Sequence, residues 1–311
     1  MWSNLSTRAL LIAVGVLALL FLISDLWSPR AKDRSFREVV MTLDTAAVTG
    51  FSLFPSSLSP AELRFDRSPA GWMVSLDGIA HRADDERVRE FLGGHAVMRS
   101  KRLTGFMDLV KERYDLTDSL RETAVFRLVD GGDRTVHYGR NTFAPGKVGM
   151  WSTINLPGED EVFSVEGTMS MLAEQPFAEW RTKWLVRGDP AHIHRLRFSY
   201  SMDTAFVVER VGGTWLVDAD TADQSKVDGY LAPLVRSRAQ TFADTVNIAG
   251  LSPDHSLEVS FDDGRAPITV NIYTGWSGLV ATTSLDPGSK MRFDPARELV
   301  RMFKTRGYFL P

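Results

Sequence analysis

Two histidines at alternate positions, His192-Ile-His194, would place two imidazoles on one face of a strand, as a pair of metal ligands requires. No third His or acid sits at a fixed offset that completes a site, so solvated strand residues are the simpler reading and no metal is assigned. Asp218, Asp220 and Asp223 invite a calcium reading, but the spacing is not that of an EF-hand loop and its closing Glu is missing. Asp223 is better placed to cap a helix. The run Asp84-Asp-Glu-Arg87 reads as the acidic first turn of a solvated helix, with the basic stretch Gly93–Arg102 as its tail.

Nucleophile motifs are absent: there is no Gly-x-Ser-x-Gly, no Ser-x-x-Lys of the penicillin-binding type and no cysteine. Gly131-Gly132 belongs to a hairpin turn, not to a phosphate loop, and no dinucleotide fingerprint occurs, so the chain is not an ATPase. No catalytic residue and no cofactor is expected. Of the eight tryptophans, Trp151 and Trp276 lie near Gly-rich loops and have no counterpart in the internal repeat described below, which makes them the candidate ligand or partner surface. Packing at the core or rim is the competing reading for both.

The elements that must carry these residues come as two copies. Ala61-Glu-Leu-Arg-Phe-Asp-Arg-Ser-Pro-Ala-Gly-Trp72 recurs as Thr204-Ala-Phe-Val-Val-Glu-Arg-Val-Gly-Gly-Thr-Trp215. Each is an alternating strand ending in an acid–Arg pair, then a turn, then a Trp that opens the next strand. Asp66-Arg67 and Glu209-Arg210 read as cross-strand pairs on the sheet surface, and Trp72 and Trp215 as core. Asp44–Leu53 and Asp189–Phe198 supply the preceding strand in each copy. Asp84 and Asp223 each cap a helix whose apolar stripe is Val88, Phe91, Leu92 in one and Val227, Tyr230, Leu231, Leu234, Val235 in the other. Three further strand-like runs follow in each copy: Ala124–Val129, Thr135–Tyr138 and Met150–Ile154, then Leu257–Phe261, Ile268–Tyr273 and Leu279–Thr283. A closing Phe163 or Phe293 and a short helix end each unit. The fold class is therefore α+β: two tandem modules, 44–188 and 189–311, each a mostly antiparallel sheet with about two helices.

Ahead of the modules, Ala9–Ile23 is unbroken apolar sequence, flanked by Trp2 and Trp27. With the stretch to Trp27 it is just long enough to span a bilayer, whereas the flank Ile23–Trp27 makes a poor signal-peptide cleavage site. Residues 1–27 are read as one N-terminal transmembrane anchor and 28–43 as a linker. Flanking charge, with Arg8 before the span and Arg30, Lys32, Arg34 and Arg37 after it, would by itself put the modules in the cytoplasm. The 311 residues are 44% hydrophobic and 24% charged, which is a globular composition. A net charge of −3 argues against nucleic acid, which selects a basic face.

The order of these motifs resembles the DUF4340 family. The resemblance rests on the strand ending in acid–Arg, on Gly-x-Trp, on Ala-Asp before the helix, and on Tyr114-Asp-Leu116 with Gly250-Leu251 after it. Val136-His-Tyr-Gly139 resembles the next strand, which in the family ends in Gly, and Glu179–Leu185 resembles the segment closing the first unit, with Thr182 in place of the usual acid. The resemblance implies one N-terminal span, modules in the periplasm or extracytoplasmic space, anchorage in the inner (cytoplasmic) membrane, and partnership with the permease or auxiliary subunit of a gliding-motility-type ABC-2 exporter. It supplies no catalytic residues. The expectation is a non-enzymatic accessory or scaffold subunit. The alternatives are a module binding a glycan or lipid in a groove between the two repeats and, less well supported, a hydrolase using Asp and His groups.

Overall fold

The computed structural model describes residues 14, 16–17, 37–58, 61–143, 149–275 and 278–311. The expected anchor and most of the linker fall outside these, apart from Val14, Val16 and Leu17, which are helical. Among the described residues no helix is long and apolar enough to cross a membrane.

Each copy builds one antiparallel sheet, and the chain is mostly β. The strands of module one are β1 (Val39–Thr42), β2 (Val48–Phe54), β3 (Leu63–Ser68), β4 (Gly71–Leu76), β5 (Ile79–Arg82), β6 (Val97–Phe106), β7 (Glu122–Leu128), β8 (Asp133–Phe143), β9 (Met150–Asn155) and β10 (Glu161–Glu166). They form a ten-stranded sheet in the order β1-β6-β10-β9-β8-β7-β2-β3-β4-β5. Module two has β11 (Ile193–Tyr200), β12 (Phe206–Val211), β13 (Thr214–Val217), β14 (Asp220–Thr221), β15 (His255–Phe261), β16 (Ile268–Gly275), β17 (Gly278–Thr283) and β18 (Asp286–Phe293). Its eight strands run β14-β13-β12-β11-β15-β16-β17-β18. Two further positions exist there as isolated bridges, Phe242↔Met291 and Trp184↔Arg238, so module two repeats the β6 and β1 positions of module one without regular ladders.

Some of the readings above change. Val97–Arg102 is not a helix tail: helix α1 (Asp85–Ala96) stops at Ala96, and Val97–Phe106 runs on as β6 between β1 and β10. The β-branched Val97 and the alternation of buried Met98 and Ser100 suit a strand. The end of the proposed linker, Val39–Thr42, is strand β1 of module one, and Leu185 and Val186 pack in the core of module two.

The cores show the duplication at side-chain level. Each carries a stacked ring pair across the same two strands, one cross-strand pair apart: Phe51 on Phe65 at 4.1 Å in module one, and Phe198 on Phe206 at 4.7 Å in module two, where module one has Leu53 and Leu63. A ring from the end of each module plugs the same place: Trp180 meets Phe65 edge-on at 4.9 Å, and Phe309 lies 5.7 Å from Phe198. Their carbonyls accept from the backbone N–H of Asp84 and Asp223, the N-caps of α1 and of helix α2 (Gln224–Leu234). Trp72 and Trp215 are buried, as expected. The acids of the acid–Arg motifs do make pairs across the sheet, Glu209 with Arg195 at 3.8 Å and Asp66 with Arg127 at 3.1 Å, but their arginines do not. Arg67 lies over the Trp72 ring at 5.5 Å and donates to the carbonyl of Ala46, and Arg210 lies over Trp215 at 5.1 Å and donates to that of Ile193. A planar guanidinium can stack and donate in plane at once, which explains an Arg in both copies.

Candidate functional site

In a duplicated fold, chemistry peculiar to this chain belongs where the copies meet or where they differ. They meet around Arg181, which follows the Trp180 plug. Its guanidinium, 3% exposed, crosses from module one to module two. Nη1 donates to Asp244 Oδ2 at 2.5 Å, Nη2 donates to Ser289 Oγ at 2.5 Å, and the plane lies 3.7 Å over the ring of Phe242. His81 of edge strand β5 reaches the same point, its Nδ1 being 3.2 Å from Arg181 Nη2 and 3.1 Å from Ser289 Oγ. The Ser289 hydroxyl donates to Asp286. A buried cation is tolerable when a carboxylate neutralises it and its donors are met; Asp244 supplies the charge and both Nη groups are engaged, while the buried Nε makes no hydrogen bond. The carboxyl of Asp244 is held below the usual range: burial opposes this, and the bonds from Arg181 and from the Lys290 backbone prevail.

Ser289, His81 and Asp286 are the residue types of a hydrolytic triad, but not its geometry. A triad needs serine and acid on opposite ring nitrogens. Here both sit on Nδ1, at 3.1 and 3.3 Å, and all three side chains are buried against Arg181. The arrangement ties two modules together.

A second contact flanks it. Asp84 caps α1 by accepting from the N–H groups of Glu86 and Arg87, and also pairs with Arg238 of module two. Arg238 stacks on Trp184 at 4.3 Å, and Arg187 pairs with Glu86 at 2.8 Å. The acidic first turn of α1, read above as merely solvated, is thus part of the junction.

The copies differ at the pole where β2 and β11 end. In module two a cavity of about 650 Å³ opens there. Its rings are Tyr200 at the end of β11, His255 at the start of β15, and Phe303 and Tyr308 from the closing segment. Tyr200, His255 and Phe303 stand edge-on to one another, with centroids 5.2 to 6.3 Å apart and planes crossing at 64° to 80°. Met202, 95% exposed, and Val300, 59% exposed, lie at the mouth. The charged lining groups are Asp203, Asp254 and Lys304. Burial lowers the His255 pKa, so the ring stays neutral near pH 7, and its buried Nδ1 makes no hydrogen bond. The Asp254 carboxyl is held low chiefly by accepting from Thr274.

Ladder register puts Pro55 of module one where Tyr200 stands and Glu122 where His255 stands. That pole is acidic instead: buried Glu122 accepts from Ser56 at 3.2 Å, and burial, seconded by Glu174, pushes its carboxyl up to about 7. The cavity there is about 260 Å³.

Of the sequence candidates, Trp151 is half-buried on β9 with Arg102 over its ring at 5.6 Å, and its cross-strand neighbours Thr142 and Glu166 also belong to module one. Trp276 lies outside the described residues; Thr274, shortly before it, lines the module-two cavity. His192 belongs to a 3-10 turn, not to β11, and pairs with Asp262 at 2.9 Å, so it shares no strand face with His194. Asp218 and Asp220 are both engaged by Arg306, and Asp223 caps α2. No group of three or more His, Cys, Asp or Glu able to hold a metal occurs among the described residues. Arg181 and Asp244, like the ring corner, escaped sequence reasoning. The one available signal was that Arg181 follows a Trp in a segment with no clear repeat partner.

The model of a family described as a domain of unknown function (DUF4340) matches residues 77–254, more than half of the chain. The chain belongs to the DUF4340 family. The matched region runs from the turn before β5 to the residue before β15, so it holds Asp84, Arg181, Arg238 and Asp244 of the junction. No curated protein and no solved structure matches the chain.

Two motifs that carried the resemblance meet in space. Gly139 lies against the backbone of Tyr114, where a Cβ would come within 2.0 Å of the Tyr114 carbonyl oxygen. Arg140 N–H donates to that same oxygen, and its guanidinium grips Asp115, which has a φ of 57°. The Gly and the Tyr-x-Leu of DUF4340 are therefore two halves of one contact in this chain.

Proposed function

We propose that this DUF4340 protein is a non-enzymatic accessory or scaffold subunit of an ABC-2-type transport system, anchored by its N-terminus in the cytoplasmic membrane with both modules on the extracytoplasmic side. The observation that carries the reading is the junction. A buried, charge-neutralised Arg181 shared by Asp244, Ser289 and His81 holds two modules in one fixed relation, which a subunit that presents surfaces to partners needs. The apolar run Ala9–Ile23 and the motif order support the anchor and the transport context. Purification of the tagged full chain in mild detergent should co-recover a permease and its ATPase; recovery of neither overturns the scaffold reading. A periplasm-dependent reporter fused after Pro311 should be active, and activity of a cytoplasm-dependent one overturns the placement.

A second reading is favoured by the ring-lined cavity: module two binds a small ligand, of glycan or lipid type. Under it, alanine at Trp276, two residues after the cavity-lining Thr274, reduces function with melting unchanged, and alanine at Trp151 in module one does not. A loss of function that follows a loss of stability argues for packing instead.

A further inference from the structure

The module-two cavity has two properties that together select a ligand charge. It is lined by a corner of three rings, Tyr200, His255 and Phe303, set edge-on to one another at 64° to 80°. Ring faces are electron-rich and attract cations. Its charged groups are two carboxylates, Asp203 and Asp254, against one ammonium, Lys304. That ammonium is already committed, donating to the Val300 carbonyl at 2.6 Å and lying 4.9 Å over the Tyr308 ring. Asp203 accepts one backbone N–H, from Thr204, which leaves further lone pairs for a ligand, while Asp254 accepts from the Thr274 backbone and from the Thr274 and Ser201 side chains and keeps its full negative charge beside the cavity. An anion would meet both carboxylates; a neutral apolar ligand would gain nothing from them.

We propose that this cavity binds an organic cation, a compact ammonium carried on an apolar body. The ammonium sits between the ring corner and the two carboxylates, and the apolar part runs out past Leu299, Val300 and Met202. The inference rests on the binding reading of module two and narrows it to a charge class.

The test is calorimetric titration of the full chain in a neutral detergent with three six-carbon probes: hexyltrimethylammonium, 1-hexanol and hexanoate. The cation is expected to bind about tenfold or more tightly than either of the others, the size of a desolvated cation–π contact. Asp203→Asn, on an exposed loop, weakens the cation several-fold and leaves hexanol unchanged. Asp254→Asn does the same but also loosens the Thr274 contact, so its melting is followed in parallel. Val300→Arg at the mouth abolishes cation binding. Equal or tighter binding of hexanol or hexanoate, or a cation affinity indifferent to Asp203→Asn, overturns the charge assignment while leaving a binding cavity. Cation binding that survives Val300→Arg overturns its location. Binding of none of the three probes overturns the assignment and the binding reading together.

Discussion

Asp84 of module one and Arg238 of module two are ion-paired through the same carboxylate that caps α1. Its repeat counterpart Asp223 caps α2 in the same way, accepting from Ser225 and Lys226, but meets no second module. One position inherited in two copies has thus acquired an inter-module role in only one of them. Asp84→Ala should therefore cost more than Asp223→Ala. Losing a cap costs roughly 1 kcal/mol in either case. At Asp84 the lost pair adds about 1–2 kcal/mol, moderated because Arg238 is partly exposed. Denaturant unfolding of the two variants checks the order, and equal costs would remove the junction from the account.

Arg181→Met should destabilise the chain by about 3–5 kcal/mol, since it strands the buried Ser289 and His81 and the half-buried Asp244 without their donor. It should also uncouple the modules, so that one calorimetric transition becomes two. Arg181→Lys does not restore the wild type, because an ammonium cannot stack on Phe242 while reaching both Asp244 and Ser289. A single transition at unchanged temperature in Arg181→Met would contradict the role given to the network.

Stability should peak slightly below neutral pH. Burial raises Glu122 from 4.5 to about 7, so the folded state holds a proton that the unfolded state releases, and this contribution falls as pH climbs from 4.5 to 7 and levels off above it. Burial lowers His95 and His137 from 6.5 to about 4, so the unfolded state binds protons first and stability falls as pH drops from 6.5 toward 4. Across the overlap two histidines outweigh one carboxyl. His95 is held neutral between the Phe91 carbonyl and the Tyr138 hydroxyl. Glu122→Gln should remove the decline between pH 6.5 and 7 and steepen the acid limb, where the carboxyl opposes the two histidines, as read from urea midpoints between pH 4 and 8.5. An unchanged slope in both ranges would count against a buried protonated Glu122.

Gly139→Ala should cost about 3 kcal/mol or more although the residue is a mid-strand glycine, where alanine often stabilises. The reason is the Tyr114 carbonyl, which is backbone and cannot swing aside. Gly131→Ala is the control, since no atom lies within 4 Å there and only its φ of 81° opposes the change. Thermal melting of both separates crowding from backbone strain.

Much of each module could be read without a structure because its signals are local. Alternation at Leu63 and Phe65, turns at Pro69–Gly71 and Gly212-Gly213, and the caps Asp84 and Asp223 are each encoded within a few residues, and the repeat let one copy check the other. β6 was misread because a basic run after a helix looks the same whether it ends the helix or starts a strand; its pairing with β1 and β10 decided the matter. Arg67 was misassigned for a similar reason, as its neighbour in sequence is an acid but its neighbour in space is Trp72.

By itself the sequence determined two homologous antiparallel modules, their buried tryptophans and capped helices, an apolar N-terminal run, and membership of a family. The tertiary structure alone decided where the modules join and where they diverge. Ser289 and His81 are 208 residues apart, and Arg181 and His81 are 100 apart. Tyr200, His255 and Phe303 make a ring corner only once β11, β15 and the closing segment reach one pole. Such contacts follow from sheet order and loop closure across the whole chain, and no short stretch of residues encodes them.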